Sequence, residues 1–368
     1  MRLAAAVNPI RILAACSPGE VRVAAVQGET LFDYAIWRPG NPDGVGDLHR
    51  GRVLAQMPSM GGAFVALNGE DGFLPDSEGA KGLTEGTILP VRVTRAALGG
   101  KGPRLTARVK ADVQPGPAGL VRRGPGAVER FAALYPDAPV LIDDSSLAAA
   151  LRASLGPRLS VVAQAFDDAL ETRVEALAET SVPLNGGARL SIHPTPALVA
   201  IDTDSGTSKD GHGAVNRSVV PALAREIRLR NLSGAIVVDL AGMPIRKRAA
   251  LGPALTEALA TDPLKPRFLG FTALGLAEIQ RSRVHPPLHE LLAGPHAAGL
   301  AALRAIAANL DPDPRRLPVL HAAPTVIEAL QRDSVALADI ANRAGRALTL
   351  RSDPAFAATD WRLEQEHG

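Results

Sequence analysis

The chain has 368 residues, long enough for more than one domain and a sizeable core. It is 46% hydrophobic and 21% charged, as an ordinary globular protein is, and its formal net charge of +2 excludes nucleic-acid binding through overall charge alone, leaving local Arg and Lys clusters. A single cysteine, Cys16, excludes an internal disulfide and a multi-cysteine zinc site and fits a reducing, cytoplasmic setting.

The opening stretch MRLAAAVNPIR is interrupted by Asn8, Pro9 and Arg11 and makes a poor signal-peptide core, so ILAAC reads as a first strand ending in a turn. No apolar run approaches the ~20 residues that cross a bilayer. RILAAC and VRVAAV, joined by SPGE, predict a hairpin that QGETLFDYAI continues. RPGNPDGVGD is a Pro/Gly-rich hinge. After it, HRGRVLAQM, GAFVALN, DGFLP, GTILPVRVTRAA and GPRLTARV are short strand-like pieces separated by Gly-containing turns. Five such pieces suit an OB-type barrel better than a sandwich, which takes about seven strands. From the residues alone, Phe64 and Phe73 divide evenly between barrel core and surface. Residues 110–137 read as irregular, with room for one short helix. Strand PVLIDD, helix SLAAALRASL, strand LSVVAQAF and helix DALETRVEALAE follow. GARLSIHPTPALVAIDTD predicts two strands, VVPALAREIRLRNL a helix with a basic stripe, and GAIVVDLAGM a buried strand. RKRAALGPALTEALATD predicts a helix, and PRFLGFTALGLAEIQRSRV a strand followed by a helix. An Ala-rich helix, the loop DPDPRRLP and a small α/β tail end the chain.

The chemistry concentrates at two strand ends. VAIDTD carries Asp202 and Asp204 two residues apart, so both carboxylates point to one face of a strand. AIVVD ends on Asp239. Strands joined through a helix often lie side by side, and α/β sheets gather their sites at the carboxyl ends of such strands. Three oxygen donors there suit a hard cation such as Mg²⁺, with Mn²⁺ as a substitute. Single acids at strand ends also cap turns and helices, so on pattern alone a metal site and a set of caps stand about even. Basic groups surround the acids: Arg225 and Arg228 at i and i+3 of one helix, PIRKR just after Asp239, and Arg281 and Arg283 in EIQRSR. Each alone reads as a solvated face. Together, beside an acidic cation site, they suggest a bound polyanion.

Taken in order, these segments resemble the ribonuclease E/G family of bacterial endoribonucleases. VAIDTDSGTS resembles the family's strand with its first metal-binding Asp, and REIRLRNLSGAIVVDLAGM the helix and strand leading to the second. ALGLAEIQRSRV resembles its Gly-Leu-x-Glu-x-x-Arg-x-Arg segment, GRVLAQMPSMGGAFVAL and DGFLP its RNA-binding barrel, and ILAACSPGEVRVAAVQGETLFDYAIWRPG its opening hairpin. The resemblance implies a multi-domain α/β (α+β) chain. A hairpin at 1–38 and residues 138–187 would form an RNase H-like subdomain into which the OB-type barrel (39–110) and a shortened 5′-sensor remnant (111–137) are inserted. A DNase I-like catalytic subdomain (188–290) and a small C-terminal domain (291–368) would follow. It implies a Mg²⁺-dependent endoribonuclease that cuts single-stranded RNA to 5′-phosphate and 3′-hydroxyl ends. Asp202 and Asp239 would hold the metal, helped by Asp204. Phe64 and Phe73 would stack on bases, and Lys101, Arg122 and Asn216 would lie on RNA, with Arg225, Arg228, Arg281 and Arg283 as backbone contacts.

There are departures. Asp204 stands where the family usually has Asn. Gly242 stands where it commonly has a second nearby Asp. LLAGPHAAGLAALRAI holds no Cys-x-x-Cys zinc link, so a homodimer would not be joined by zinc. Only GLVRRGP resembles the phosphate pocket of the 5′ sensor, with Arg122 at its Arg and Arg123 at its Thr. These losses keep an alternative in view, a non-catalytic RNA-binding protein on the same fold. A sugar- or protein-binding barrel on an unrelated enzyme does not account for the order of the segments.

Overall fold

The computed structural model describes residues 9–365 apart from Asp210, Ala241 and Pro312, and the chain divides into two compact units. One is Pro42–Gly126 with Arg283–Pro286. The other comprises Met1–Asn41, Ala127–Ser282 and Pro287–Gly368.

The smaller unit is a closed five-stranded barrel that fits the OB-type fold expected from the sequence. Its long first strand, Leu48–Met57, pairs with Gly62–Ala66 on one side and Ile88–Arg95 on the other. Asp71–Pro75 and Arg104–Thr106 close the circuit. Strict alternation builds the interior: Val53, Ala63, Val65, Leu74, Val91, Val93 and Leu105 point inward and are buried. Gly51 lies where the long strand meets the core. A Cβ there would collide with Val65 Cγ1 and come within 3.0 Å of Val91 Cγ2, so only glycine permits the approach. A strand hidden in the stretch read as irregular, Gly119–Arg122, adds beside Leu48–Met57. Asp47 fastens the chain just after it, accepting from Arg123 Nη1 and Gly124 N at 2.6 Å each.

The larger unit holds three sheets. The first has Thr30–Trp37, Glu20–Gln27 and Ile10–Ser17 antiparallel, then Val140–Ile142 and Leu159–Val161 added parallel. Cys16 is part of its central strand, as the reading of ILAAC as a strand predicts. Helices Ala127–Leu134 and Ser145–Leu155 cover one face, the second capped by Asp144 accepting from Leu147 N. Helix Asp168–Glu175 covers the other.

The second sheet has six strands, in the order Ser181–Pro183, Arg189–Pro194, Val199–Asp204, Gly234–Asp239, Ala277–Arg281, Arg267–Phe271. Val199–Asp204 and Gly234–Asp239 are parallel and joined by the helix His212–Leu229. That helix and Gly252–Leu259 bury one face of the sheet through Ile201, Ile236, Val238 and Ile279 against Val219, Leu223, Ile227 and Leu255. The third sheet, Val319–Ala322 between Leu350–Ser352 and Trp361–Glu364, packs with three helices from Gly294 onward as the expected small C-terminal α/β layer. Among the described residues, no helix is long and apolar enough to cross a membrane.

A further expectation fails. Residues 267–281 are not a strand and a helix but an antiparallel hairpin, Arg267–Phe271 with Ala277–Arg281. Gly275, with φ +86, makes its turn. Ala277, Ile279 and Arg281 alternate inward with Glu278 and Gln280 outward, a period of two that helix-forming residue types masked.

Candidate functional site

The two acid strands run in register. Asp202 and Asp239 are direct partners across the parallel pair, and neighbouring strands lie about 4.8 Å apart. On each strand the residues before the acid alternate, with Ile201 and Val238 buried and Asp202 and Asp239 exposed. The carboxylates therefore stand side by side on the sheet face that the helices leave open. Thr203 Oγ1 donates to the Asp239 carbonyl at 2.9 Å and ties the two ends together. Asp204 shares the face of Asp202, but its Oδ1 accepts from Gly206 N at 2.9 Å and turns the chain back.

Arg248 is the partner that the sequence did not single out. Its Nη1 donates to Asp239 Oδ1 at 2.9 Å and to the Gly275 carbonyl at 2.8 Å, and its Nε donates to the Met243 carbonyl at 2.9 Å. The guanidinium is buried while the Asp239 side chain is 54% exposed. One carboxylate oxygen of Asp239 is thus held and the other faces outward. Among the described residues no three His, Cys, Asp or Glu side chains converge as a complete metal cage. The donor set fits a cation that takes one or two carboxylates and completes its shell with water or phosphate, as Mg²⁺ does.

Several predicted RNA contacts belong to the fold instead. Arg281 is 4% exposed. Its Nε meets Asp262 Oδ2 at 2.7 Å, and its Nη1 meets Asn231 Oδ1 and the Leu232 carbonyl. Arg228 pairs with Asp33 at 2.6 Å and also reaches Tyr135 and the Thr261 carbonyl. Asn216 is fully buried within the helix that joins the acid strands. A buried cation requires a partner, and once paired it has little left for a ligand. Arg225 is exposed on the same helix as Arg228, so the i, i+3 pair splits into one surface and one interior residue.

In the barrel unit, Phe64 and Phe73 are cross-strand partners on the outer face. Their rings are half-buried, with centroids 5.6 Å apart, edge to face. Of the two positions open to them, core and surface, both take the surface. Phe73 neighbours Arg104, and Arg104 faces Arg95 across the next strand pair, giving a continuous row of two aromatics and two arginines. Partial burial, then the like charges of Arg104 and Arg283, hold the Arg95 guanidinium below its usual pKa. No acid pairs with these three arginines among the described residues. Arg95 reaches this row through a bulge after Val93, which no sequence pattern signals. Lys101 is exposed where it bridges Leu98 across the turn Gly99–Gly100, and Arg122 is exposed on the added strand.

Residues 156–284 match the model of the Ribonuclease E/G family. The chain is 25% identical to Ribonuclease E of Haemophilus influenzae, over 74% of this chain and 41% of that protein. It is 27% identical to Ribonuclease G of Escherichia coli K12, over 51% of this chain and 42% of that protein. To the chloroplastic Ribonuclease E/G-like protein of Arabidopsis thaliana it is 33% identical, over 35% of this chain and 14% of that protein. The chain is thus aligned with less than half the length of each of these relatives. The matched stretch holds Asp202, Asp239 and Arg248, and over it the chain is similar to the Ribonuclease E/G family.

Proposed function

We propose that the protein is a metal-dependent endoribonuclease that cuts single-stranded RNA, leaving 5′-phosphate and 3′-hydroxyl ends, in RNA processing or decay. The observation that carries this reading is the in-register pair Asp202 and Asp239 on an open sheet edge, inside the stretch that matches the family. The relatives' names point the same way.

Asp202 and Asp239 would hold Mg²⁺, with Asp204 close by on the same face. Bound there, the ion supplies Lewis-acid stabilisation of a phosphoryl oxygen and a water of lowered pKa. The chain's own part is orientation. Arg248 fixes the rotamer of Asp239, and Thr203 fixes the spacing of the two strand ends. In hydrolysis an oxygen of water bonds to phosphorus, the bond to the 3′ oxygen breaks, and that oxygen takes up a proton. Phe64 and Phe73 would stack on bases, while Lys101, Arg95, Arg104, Arg122 and Arg283 would lie along phosphates. Arg225 remains a candidate contact on the larger unit.

The three antiparallel strands extended by two parallel ones support the RNase H-like assignment for residues 1–38 and 138–187. The six-stranded sheet with its helices on one side supports the DNase I-like assignment for 188–290. Residues 111–137 would be the sensor remnant, and 291–368 the small domain. A cytoplasmic location, and a homodimer not joined by zinc, complete the reading.

One observation favours a second reading, RNA binding without cleavage: the grip of Arg248 on Asp239 partly neutralises that acid. The two separate cleanly with a 5′-end-labelled single-stranded A/U-rich RNA. Wild type is expected to make discrete internal cuts with Mg²⁺ and none in excess chelator, while Asp202→Ala binds and does not cut. Binding without cutting by both proteins would establish the second reading.

A further inference from the structure

Gly242 and His212 lie at the carboxyl ends of the acid strands. Gly242 follows Asp239 by three residues, and His212 opens the 18-residue helix that leaves the Asp204 turn. Gly242 is left-handed, with φ +50. A Cβ on it would fall 2.6 Å from His212 Cε1 and Nε2 and 2.7 Å from Nδ1. Near-equal distances to three ring atoms mean that the imidazole lies over the glycine, with both nitrogens among the atoms nearest to it. His212 is exposed, and among the described residues it makes no hydrogen bond or ion pair. An ordinary solvated histidine needs no such floor.

Arg246 and Lys247 follow Gly242 as exposed cations, one helical turn away from it. Arg248 is already engaged by Asp239, Met243 and Gly275, and Asp202, Asp204 and Asp239 repel a phosphodiester. Three residues past Asp239 this chain has a glycine and, over it, an imidazole. Neutral imidazole still carries one N–H, so the group can donate without taking up a proton.

We infer that His212 is a catalytic residue in contact with substrate. Its imidazole N–H donates to a non-bridging oxygen of the phosphodiester being cut, from a position that only glycine at 242 leaves open. This rests on the reading of the acid edge as a ribonuclease centre. It adds a residue whose role depends on the local glycine rather than on the metal-holding acids.

The test uses the full chain and the same labelled RNA under single-turnover conditions. His212→Ala should cut roughly 100-fold more slowly, the scale for losing one preorganised donor to a developing anion. His212→Gln, which keeps an N–H, should retain much of the rate. Added imidazole should restore part of the rate of His212→Ala. Gly242→Ala should slow cleavage by displacing the ring; its backbone is strained as well, so the His212 variants are the deciding ones. The urea midpoint of His212→Ala should match wild type. Equal rates for wild type and His212→Ala would overturn the assignment, as would a slow His212→Ala that neither glutamine nor imidazole improves. A wild type that binds RNA and never cuts removes the ribonuclease reading itself, and this role with it. A wild type that cuts while His212→Ala cuts as well removes this role alone.

Discussion

The acid edge of the larger unit and the outer face of the barrel are opposite in charge and in how their side chains are held. At the edge, position is imposed. Strand register pairs Asp202 with Asp239, Thr203 bonds across, and Arg248 grips one carboxylate oxygen. On the barrel, Phe64 and Phe73 are half-buried and meet edge to face, and the charges of Arg104 and Arg283 act on Arg95, with no acidic partner for the three among the described residues. Reaction centres tolerate little misplacement, whereas stacking and phosphate contact tolerate much. Under the proposed function, the first would carry the chemistry and the second would hold the strand.

The largest effect should come from loosening the edge. Arg248→Ala frees Asp239 and leaves the buried carbonyls of Met243 and Gly275 without their donor. Single-turnover cleavage should fall by about 100-fold, and urea unfolding should show a loss of roughly 1–3 kcal/mol. RNA affinity measured by filter binding should stay within about twofold. Undiminished cleavage would dissolve the contrast, because the edge would then not need its grip.

Next in size is the reverse experiment. Phe64→Ala or Phe73→Ala should weaken RNA binding by about 1–3 kcal/mol for each base unstacked. The cleavage rate at saturating RNA should hold. A fall in that rate with affinity intact would move the aromatics into the reaction and blur the two regions.

A smaller effect sharpens the electrostatic half of the comparison. Arg104→Gln should reduce the slope of log affinity against log salt by roughly 0.7, the value for one single-strand phosphate contact. An unchanged slope would mean that the row Phe64–Phe73–Arg104–Arg95 stacks on bases but holds no phosphate.

The smallest effect concerns the barrel's own stability. Burial pushes the His49 pKa below its usual value, against the pull of Asp47. The folded state therefore favours the neutral ring. The contribution is full above the unfolded pKa of about 6.5 and is lost as pH falls from there through the lowered folded value. Urea midpoints at acidic and neutral pH should differ more for wild type than for His49→Gln. Equal differences would show that the ring's burial has no titration consequence.

Much of this was legible from residue order. The barrel follows from five short strand-like pieces separated by Gly-containing turns, whereas the side taken by Phe64 and Phe73 stayed even in residue order and is outside because Ala63, Val65 and Leu74 take the inward positions. The meeting of Asp202 and Asp239 follows from two apolar strands that each end in an acid and are joined by a helix. Other features were misread. The hairpin 267–281 offered only two apolar inward positions on its second strand, too few to reveal a period of two. Arg228 and Arg281 looked like solvated cations because their partners, Asp33 and Asp262, are distant in the chain.

By itself, then, the sequence determined the strand ends that carry the acids, the short strands of the barrel, and the family resemblance, because each depends on spacing within a few residues or on ordered local motifs. Only the tertiary structure decided which arginines are structural and which are free, that Arg248 holds Asp239, that a bulge turns Arg95 toward Arg104, and that His212 rests on Gly242. Each of these depends on segments that the folded core brings together and that local spacing cannot pair.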